Sequence, residues 1–218
     1  MSTLSATART RLTRHPERSG TDRSVLHAIL DDGMICHLGV LVDGTPRVIP
    51  TGYGRAGDTL YVHGSSGATS MMTGPARDVC VTVTHIDGIV LARSLFSHSI
   101  NYRSAMIYGT PRTVDDPEEK LEGLRLIVEQ FAPGQWDAAR RPTRKELAAT
   151  TVLAVSLDEA SVKVREGGPA DEEEDYALDI WAGVLPVRQE FGAPYPDPAL
   201  RPGIPVPAHI AARTAPTS

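Results

Sequence analysis

The sequence predicts a mainly β fold of the α+β type, in which six or more antiparallel strands form a meander that closes into a barrel with flanking helices. Apolar segments of strand length recur between residues 34 and 114. Short turn signals such as Asp43-Gly44 and Asp87-Gly88 separate these segments. Apolar residues at helical spacing occur before and after this region, which places the helices on the flanks.

The strands are justified by their composition and by the turns between them. Their predicted bounds are 34–42, 46–54, 59–63, 78–85, 88–95 and a long strand from the polar residues near 100 to about 114. A further strand pair, or one bulged strand, is predicted over 151–158 and 161–165. Pro50 lies in the middle of the second strand, where its missing N–H predicts a bulge or an edge that faces a ligand.

Capping residues mark the helices. Thr21 or Asp22 can cap a first helix over 24–31, and Gly33 ends it. Asp116 caps a long second helix with Pro117 in its first position, and Pro133-Gly134 ends that helix. Two shorter helices are predicted, one ending near residue 73 and one over 143–150.

Composition excludes several classes of protein. The 218 residues are 41% hydrophobic and 22% charged, as in a globular domain, and the net charge of −5 argues against nucleic acid as a partner. No apolar run reaches membrane-spanning length, so we expect no membrane partner and a cytoplasmic location. We expect a flexible N-terminal arm over 1–13, one domain over 14–191, and an extended or disordered tail over 192–218, where seven of the 17 prolines lie.

Several chemically suggestive residues have ordinary structural explanations. Cys36 and Cys80 lie in apolar strands and are interpreted as reduced core residues, and no cysteine or histidine set has zinc-ligand spacing, so no metal is expected. His37 and His85 lie in strand patterns and are interpreted as structural. The acidic run over 171–175 is interpreted as a solvated loop.

The most informative stretch is the polar segment 97–104, Ser-His-Ser-Ile-Asn-Tyr-Arg-Ser, which leads into an apolar strand. Strand alternation would aim Asn101, Arg103 and Ala105 at one face and Tyr102 and Ser104 at the other. The segment is either a ligand site or a polar strand end at the barrel rim. We favour a ligand, because a second polar segment, 63–70, follows another strand. Its glycines and N–H groups suit an anion such as phosphate.

These segments belong to a pattern that resembles the pyridoxamine 5'-phosphate oxidase-related flavoproteins, the FMN-binding split barrels, in particular the nitroimidazole-resistance-type branch. The matching segments, in chain order, are 14–18 with Asp22, 36–39, 43–50, 60–65, 87–94, 97–104, 163–165 and 181–186. The resemblance covers about residues 14–187 and depends on the order and spacing of the segments. It departs from the vitamin-pathway oxidase because 66–73 holds no Arg or Lys and the segment after Trp181 is apolar.

The resemblance implies a homodimer of split barrels with two flavin sites at the subunit interface. FMN is the first choice of cofactor, with FAD or haem as alternatives. The phosphate would lie against 63–70, the ring beside 47–53, and residues 101–104 would close the site. Trp181 would pack near the ring or the dimer seam, or else in the core. The candidate cofactor-binding residues are Arg47, Pro50, Thr51, Gly52, Tyr53, His63, Gly64, Ser65, Ser66, Ser70, Asn101, Tyr102, Arg103, Ser104 and Trp181.

Two function classes follow from this resemblance. One is an FMN-dependent oxidoreductase that acts on a small-molecule substrate with a reduced nicotinamide as electron donor; the other is a non-catalytic flavin- or haem-binding protein for storage, sensing or electron relay. Arg103 is expected to neutralise the phosphate or stabilise a reduced, anionic ring. His63 and His98 are the histidines expected near the cofactor, either as proton donors or as structural residues, and no residue has an assigned catalytic role.

Overall fold

The computed structural model describes residues 3–4, 7–11, 16–20, 22–69, 71 and 77–214. Ten strands form one antiparallel sheet in this part of the chain. The strands are β1 (Ser19–Gly20), β2 (Ile35–Val42), β3 (Thr45–Ala56), β4 (Thr59–Ser65), β5 (Val79–Leu91), β6 (Ser99–Gly109), β7 (Arg112–Thr113), β8 (Thr150–Ser156), β9 (Ala160–Arg165) and β10 (Gly183–Pro186). The α-helices are α1 (Arg23–Asp32), α2 (Pro117–Phe131), α3 (Gln135–Ala138), α4 (Arg144–Ala148) and α5 (Ala208–Ala211).

The sheet curls into a barrel that is split along one strand. Its order is β1-β9-β6-β5-β2-β3-β4-β8-β7, with β10 beside β5. The first eight residues of β3 pair with β2, from Thr45 opposite Val42 to Gly52 opposite Ile35. The last four pair with β4, from Tyr53 opposite Val62 onward. β4 itself continues beside β8 as far as Ser65, so β3 and β4 diverge after the Tyr53–Val62 pair and leave a split between them.

The barrel is filled by alternate residues of β2, β5 and β6. The inward side chains of β2, β5 and β6 are buried, and α1 closes one end with Leu26, Ile29 and Leu30, each at most 1% exposed. On the other side of β3 and β4, α2 packs so closely that a Cβ on Gly54 would lie 2.4 Å from the backbone of Leu126. Glycine is therefore required at that position of β3.

Most predicted elements are confirmed. Asp22 caps α1 by accepting from the N–H of Ser24, and Asp116 caps α2 by accepting from the N–H of Glu119. The Asp43-Gly44 hairpin forms with positive φ at both residues, as such turns require. Strands β8 and β9 form as two strands. The end of the helix predicted after residue 66 lies outside the described residues, although Thr69 and Met71 are helical.

The predicted turn at Asp87-Gly88 is wrong, because β5 runs through it as one strand of 13 residues. The pairing with β6 shifts between Ile86 and Gly88, so a bulge takes up the extra residue. Three neighbouring strands hold β5 in this extended form: β2, β6 and β10. The last of these pairs Gly183 to Pro186 with Leu91 to Gly88 and was not predicted.

Described residues of the predicted N-terminal arm and of the C-terminal segment contact other parts of the chain. Within the predicted N-terminal arm, Arg9 forms ion pairs with Asp78 and Glu159. In the Pro-rich segment, residues 187–207 contain no helix or strand, and Phe191 and Tyr195 are 47% and 91% exposed. The chain then returns through α5, and the guanidinium of Arg213 lies 4.1 Å from the Phe191 ring.

None of the helices in the described part of the chain has the combined length and apolarity needed to cross a bilayer.

Candidate functional site

Two neighbouring cavities lie beside β5 and β6, and Thr84 and Ile86 line both of them. The polar cavity, of about 880 Å³, is lined by the end of α1, by Arg103 and Gln130, and by residues 187–191 with Arg213. The apolar cavity, of about 640 Å³, is lined by Thr84, Ile86, His98, Ser99, Ile100 and Tyr102. Both volumes are in the range of sites for organic cofactors, roughly 300–1,000 Å³.

Arg103 occupies the centre of the polar cavity between two carboxylates. Its Nε and Nη2 donate to Asp87 at 3.0–3.3 Å, and its Nη1 donates to Asp32 at 2.6 Å. The bulge in β5 places Asp87 next to Arg103, and the C-terminal end of α1 supplies Asp32. The hydrogen bonds that Arg103 donates to Asp87 and Asp32 raise its pKa further above the ordinary value. The two carboxylates therefore already balance this charge. The role expected of Arg103, to neutralise the phosphate or to stabilise a reduced ring, stays a prediction.

Gln130, which no sequence pattern singled out, closes the same cavity. Its Nε2 lies within hydrogen-bond distance of the carbonyl oxygens of Leu30, Asp31 and Gly33 at the end of α1, and its two N–H groups donate there. The helix end is thereby fixed to α2. Gly33 and Met34 then lead into β2 at Ile35, which pairs with Gly52 of β3. The polar cavity and the split are therefore near each other.

His98 lies at the edge of the apolar cavity, on a turn that precedes β6. Its Nδ1 lies 2.9 Å from the carbonyl oxygen of Ser94. A carbonyl can only accept, so Nδ1 carries the proton and Nε2 is left with its lone pair. The turn itself, Leu95–Ser97, is capped by the Ser94 hydroxyl, which accepts from the N–H of Phe96. Leu95 and Phe96 are 88% and 94% exposed, so two large apolar side chains stand beside His98 with little cover.

The turn is anchored by Asp171, whose side chain is inaccessible to solvent. Its carboxylate accepts from the N–H groups of Arg93 and Ser94 and from the Arg93 guanidinium. Burial opposes the charged form, but these donors outweigh burial and lower the pKa of Asp171. The interpretation of 171–175 as a solvated loop is therefore wrong for Asp171. The rest of the run is exposed, except that Asp175 is half-buried.

The other residues predicted in β6 divide between the two faces as the alternation predicts. Asn101 is 8% exposed, donates to the carbonyl of Gly167 at 3.1 Å and accepts from Arg165. Its amide groups are therefore used to hold the chain after β9. Tyr102 lines the apolar cavity, while Ser104 is half-buried and pairs with Thr84 and Lys163.

The candidate cofactor-binding residues of β3 form one wall of the split. Thr51 is half-buried and Arg47 is exposed on the barrel-facing side of the strand, whereas Pro50 and Gly52 belong to the other side. Within the described part of the chain, the Arg47 guanidinium has no carboxylate within ion-pair distance. Among the described residues this half of β3 pairs with β2 alone, so Pro50 lies on a strand edge. That the edge faces a ligand stays a prediction. Tyr53 is fully buried and donates to the carbonyl of Leu30 at 2.6 Å, so its side chain belongs to the core.

The candidate cofactor-binding residues in and after β4 form the opposite wall of the split. Gly64 is close-packed, since a Cβ would lie 2.8 Å from the Met71 side chain. The N–H groups expected to hold a phosphate already have partners: those of Ser66, Gly67 and Ala68 donate to Ala149 and to Ser65. The hydroxyls of Ser65 and Ser66 are exposed, and Ser70 lies outside the described residues. Partial desolvation lowers the pKa of His63, which favours the neutral imidazole.

Trp181 is 68% exposed, so the interpretation as a core residue is wrong. Its indole ring lies over Gly183, where a Cβ would be 2.9 Å from the ring. Trp181 therefore presents an open aromatic face at the start of β10, next to the strand that separates the two cavities.

The outer face of the sheet carries a row of exposed apolar side chains. Ile35 and Leu41 of β2 are each 45% exposed, Val48 of β3 is 68% exposed, and Ile86 and Ile100 beside the apolar cavity are 53% and 46% exposed. The register places Leu41 and Val48 towards one end of this face and Ile35, Ile86 and Ile100 towards the other. Exposed apolar side chains on one face of a sheet are typical of an interaction surface.

Metal-binding clusters of three or more His, Cys, Asp or Glu side chains do not occur among the described residues. Cys36 is buried, and burial raises its pKa to about 12, so its thiol is unreactive.

Comparisons with known proteins agree with this architecture. The family model described as pyridoxamine 5'-phosphate oxidase matches residues 22–164. The solved flavocytochrome Anf3 from Azotobacter vinelandii is 40% identical, with a TM-score of 0.90 over 95% of this chain and 97% of that one. The FAD and haem binding protein from Mycobacterium smegmatis is 38% identical, with a TM-score of 0.86 over 90% and 97% of the two chains.

A nitroimidazole-resistance-like protein from Bacteroides thetaiotaomicron shares the fold, with 24% identity and a TM-score of 0.56 over 67% of this chain and 86% of that one. The search of curated proteins gave no significant match. Because the family model spans about two-thirds of the chain and two structures match nearly all of it, the chain belongs to the pyridoxamine 5'-phosphate oxidase-related family of flavin-binding split barrels.

Proposed function

We propose that this protein is a flavin- and haem-binding redox protein that passes electrons from the flavin to the haem. The observation that carries the proposal is the likeness, over nearly the whole chain, to a flavocytochrome and to an FAD and haem binding protein. Two adjacent cavities of different polarity on one strand support it, since two cofactors need separate sites at short range. FAD replaces FMN as the first choice, because the relative whose flavin is named binds FAD.

The split between β3 and β4 is the proposed flavin site. The free half of β3 offers backbone N–H and C=O groups that have no strand partner among the described residues, and a flavin ring has donors and acceptors along one edge. Arg47 stands on the same strand with its charge unopposed by a carboxylate and can face the phosphates. The flavin supplies electron transfer, while the chain binds it and controls access to it.

A second copy of the chain is the proposed cover of the exposed sheet face. Ile35 and Leu41 of β2 and Val48 of β3 are exposed on the two strands that lie between β5, beside the apolar cavity, and β4, beside the split. Covering this face would exclude water from both cofactors, and a two-fold dimer is the commonest closed arrangement. The exposed segment 187–207 is long enough to reach over a neighbouring subunit.

Purification of the full chain tests the proposal directly. We expect flavin absorbance and a haem Soret band in the same dimeric species, each near one equivalent per chain after reconstitution. Anaerobic addition of a reduced nicotinamide should then bleach the flavin and convert the haem to its reduced spectrum. A protein that takes up flavin but no haem under reconstitution would refute the two-cofactor proposal and favour a flavin-dependent reductase.

Two arginine variants test where the flavin phosphates lie. Arg47→Ala removes an unopposed positive charge, so flavin affinity should fall roughly 10- to 100-fold, the equivalent of about 1.5–3 kcal/mol. Arg103→Ala removes the same formal charge but from a site where two carboxylates balance it, so its effect should be smaller. Affinity is measured by flavin fluorescence quenching. A larger loss for Arg103→Ala would move the phosphates to the polar cavity.

Two leucine variants test the dimer. Leu41→Glu places a charge on the exposed sheet face and should shift the protein towards monomer and lower its flavin occupancy. Leu178→Glu is the matched control, since Leu178 is equally exposed, at 46% against 45%, but lies outside the sheet. Light scattering with absorbance detection gives mass and occupancy together. A Leu41→Glu protein that remains a fully loaded dimer would exclude this face as the subunit interface.

A further inference from the structure

The imidazole of His98 is held in the tautomer that a metal ligand requires. Its Nδ1–H donates to the carbonyl of Ser94, which leaves the unprotonated Nε2 available. Metal-ligating histidines typically donate their other ring N–H to a carbonyl or carboxylate, because this bond fixes the tautomer and the ring orientation. Nε2 of His98 has no hydrogen-bond partner within the described residues.

Each of the other described histidines lacks either an available Nε2 or a hydrogen bond that orients its ring. Nε2 of His27, His85 and His209 is bonded to Asp58, to the carbonyl of Ile29 and to Gln135, respectively, each at 2.9 Å. These rings are committed to structural contacts. His37 and His63 lack a hydrogen bond that would orient the ring, as far as the described residues show. His98 is thus the described histidine with both an oriented ring and an available Nε2.

The surroundings of His98 suit a large apolar ring. The apolar cavity places the side chains of Ile86, Ile100 and Tyr102 on one side of it. Leu95 and Phe96, on the turn that carries His98, add two exposed apolar side chains next to the imidazole. Tetrapyrroles are bound by a proximal ligand such as histidine within apolar walls, and the residues present here fit that requirement.

We infer that His98 is the axial ligand of the haem iron, through Nε2, and that the apolar cavity takes the porphyrin. The inference rests on the proposed function, since it assigns the haem of that proposal to named residues. It also separates the two cofactors on the sheet: the split holds the flavin, while the outer face of β5 and β6 holds the haem.

Asp171 is the positioning residue for this ligand. Its buried carboxylate accepts from the N–H of Ser94, and the carbonyl of Ser94 accepts from His98 Nδ1. Arg93 completes the anchor, with its guanidinium paired to Asp171 and stacked 4.8 Å from the Tyr176 ring. Asp171 thus fixes Ser94, whose carbonyl accepts the Nδ1–H hydrogen bond that orients the imidazole.

Histidine variants of the full chain, reconstituted with haem and flavin, test the assignment. His98→Ala should lose bound haem, or keep it with a shifted Soret band, and should retain the dimer and its flavin. Added imidazole should restore the wild-type spectrum by replacing the missing ligand. His209→Ala is the control, because its ring is bonded to Gln135, and it should bind haem as the wild type does.

The outcomes separate the assignment from the proposed function. A wild-type protein without haem overturns both. A wild-type protein that binds haem, together with a His98→Ala protein of unchanged spectrum, overturns the assignment alone. If His37→Ala or His63→Ala causes the loss and His98→Ala does not, the ligand lies on β2 or β4 and the assignment is wrong.

Asp171→Asn and Asp171→Ala test the positioning role. The loss of the anchoring charge should weaken haem binding by about 10- to 100-fold and lower the iron–histidine stretching frequency in resonance Raman spectra of the reduced protein. The stretching frequency reports imidazole basicity, so a purely structural role would leave it unchanged. Glu173→Gln, in the same acidic run and exposed, is the control and should change neither quantity. Unchanged stretching frequency in both Asp171 variants would refute the positioning role.

Discussion

The register shift in β5 between Ile86 and Gly88 is the constraint on which the site depends. A regular strand would alternate strictly, whereas the extra residue allows Asp87 to reach Arg103 while Ile86 stays on the outer face. Arg103 then connects β5 and β6 to the end of α1 through Asp32. One local irregularity therefore builds the wall of the polar cavity on one side of the strand and leaves an apolar wall on the other.

Charge pairing decides what each part of the site can bind. Arg103 is surrounded by its own carboxylates, so the polar cavity offers hydrogen bonds without a strong positive field. Arg47, on the free half of β3, is better placed to attract an anion, because its field is not cancelled by a carboxylate of the described chain. Asp171 is the reverse case, a carboxylate that stays charged while buried because the backbone donates to it. Its role is to hold a turn and, in our proposal, the ligand on that turn.

The sequence predicted the elements whose signals are local. The Asp116 cap and Pro117 define α2, and Asp43-Gly44 defines the hairpin between β2 and β3. The same kind of signal failed at Asp87-Gly88, because pairing with β2, β6 and β10 overrides a turn propensity of a few residues. Strand β10 was not predicted, because a segment of four residues is too short to show an alternating hydrophobic pattern. It forms by pairing with a strand about 95 positions earlier in the chain.

Sequence patterns located the candidate segments but not the contacts of their side chains. Residues 47–53 and 63–66 border the split, and Tyr102 and Arg103 line the two cavities, since strand ends and polar runs are visible in the sequence. The partners of Arg103 were not visible, because Asp32 lies 71 positions away and its approach depends on how α1 closes the barrel. Burial of Asp171 likewise depends on contacts with Arg93 and Ser94, which are 78 and 77 positions earlier. An acidic run gives no sign that one of its members is buried.

The central claim is that two cofactors share one protein and lie on neighbouring sites of the same sheet. Stopped-flow absorbance of the fully loaded protein, reduced anaerobically with excess reduced nicotinamide, follows the flavin and haem bands separately. Our account predicts that haem reduction follows flavin reduction with a rate constant that does not change when the protein is diluted, because the transfer is within one molecule. A haem that stays oxidised beside a reduced flavin, or a transfer rate that scales with protein concentration, would contradict it.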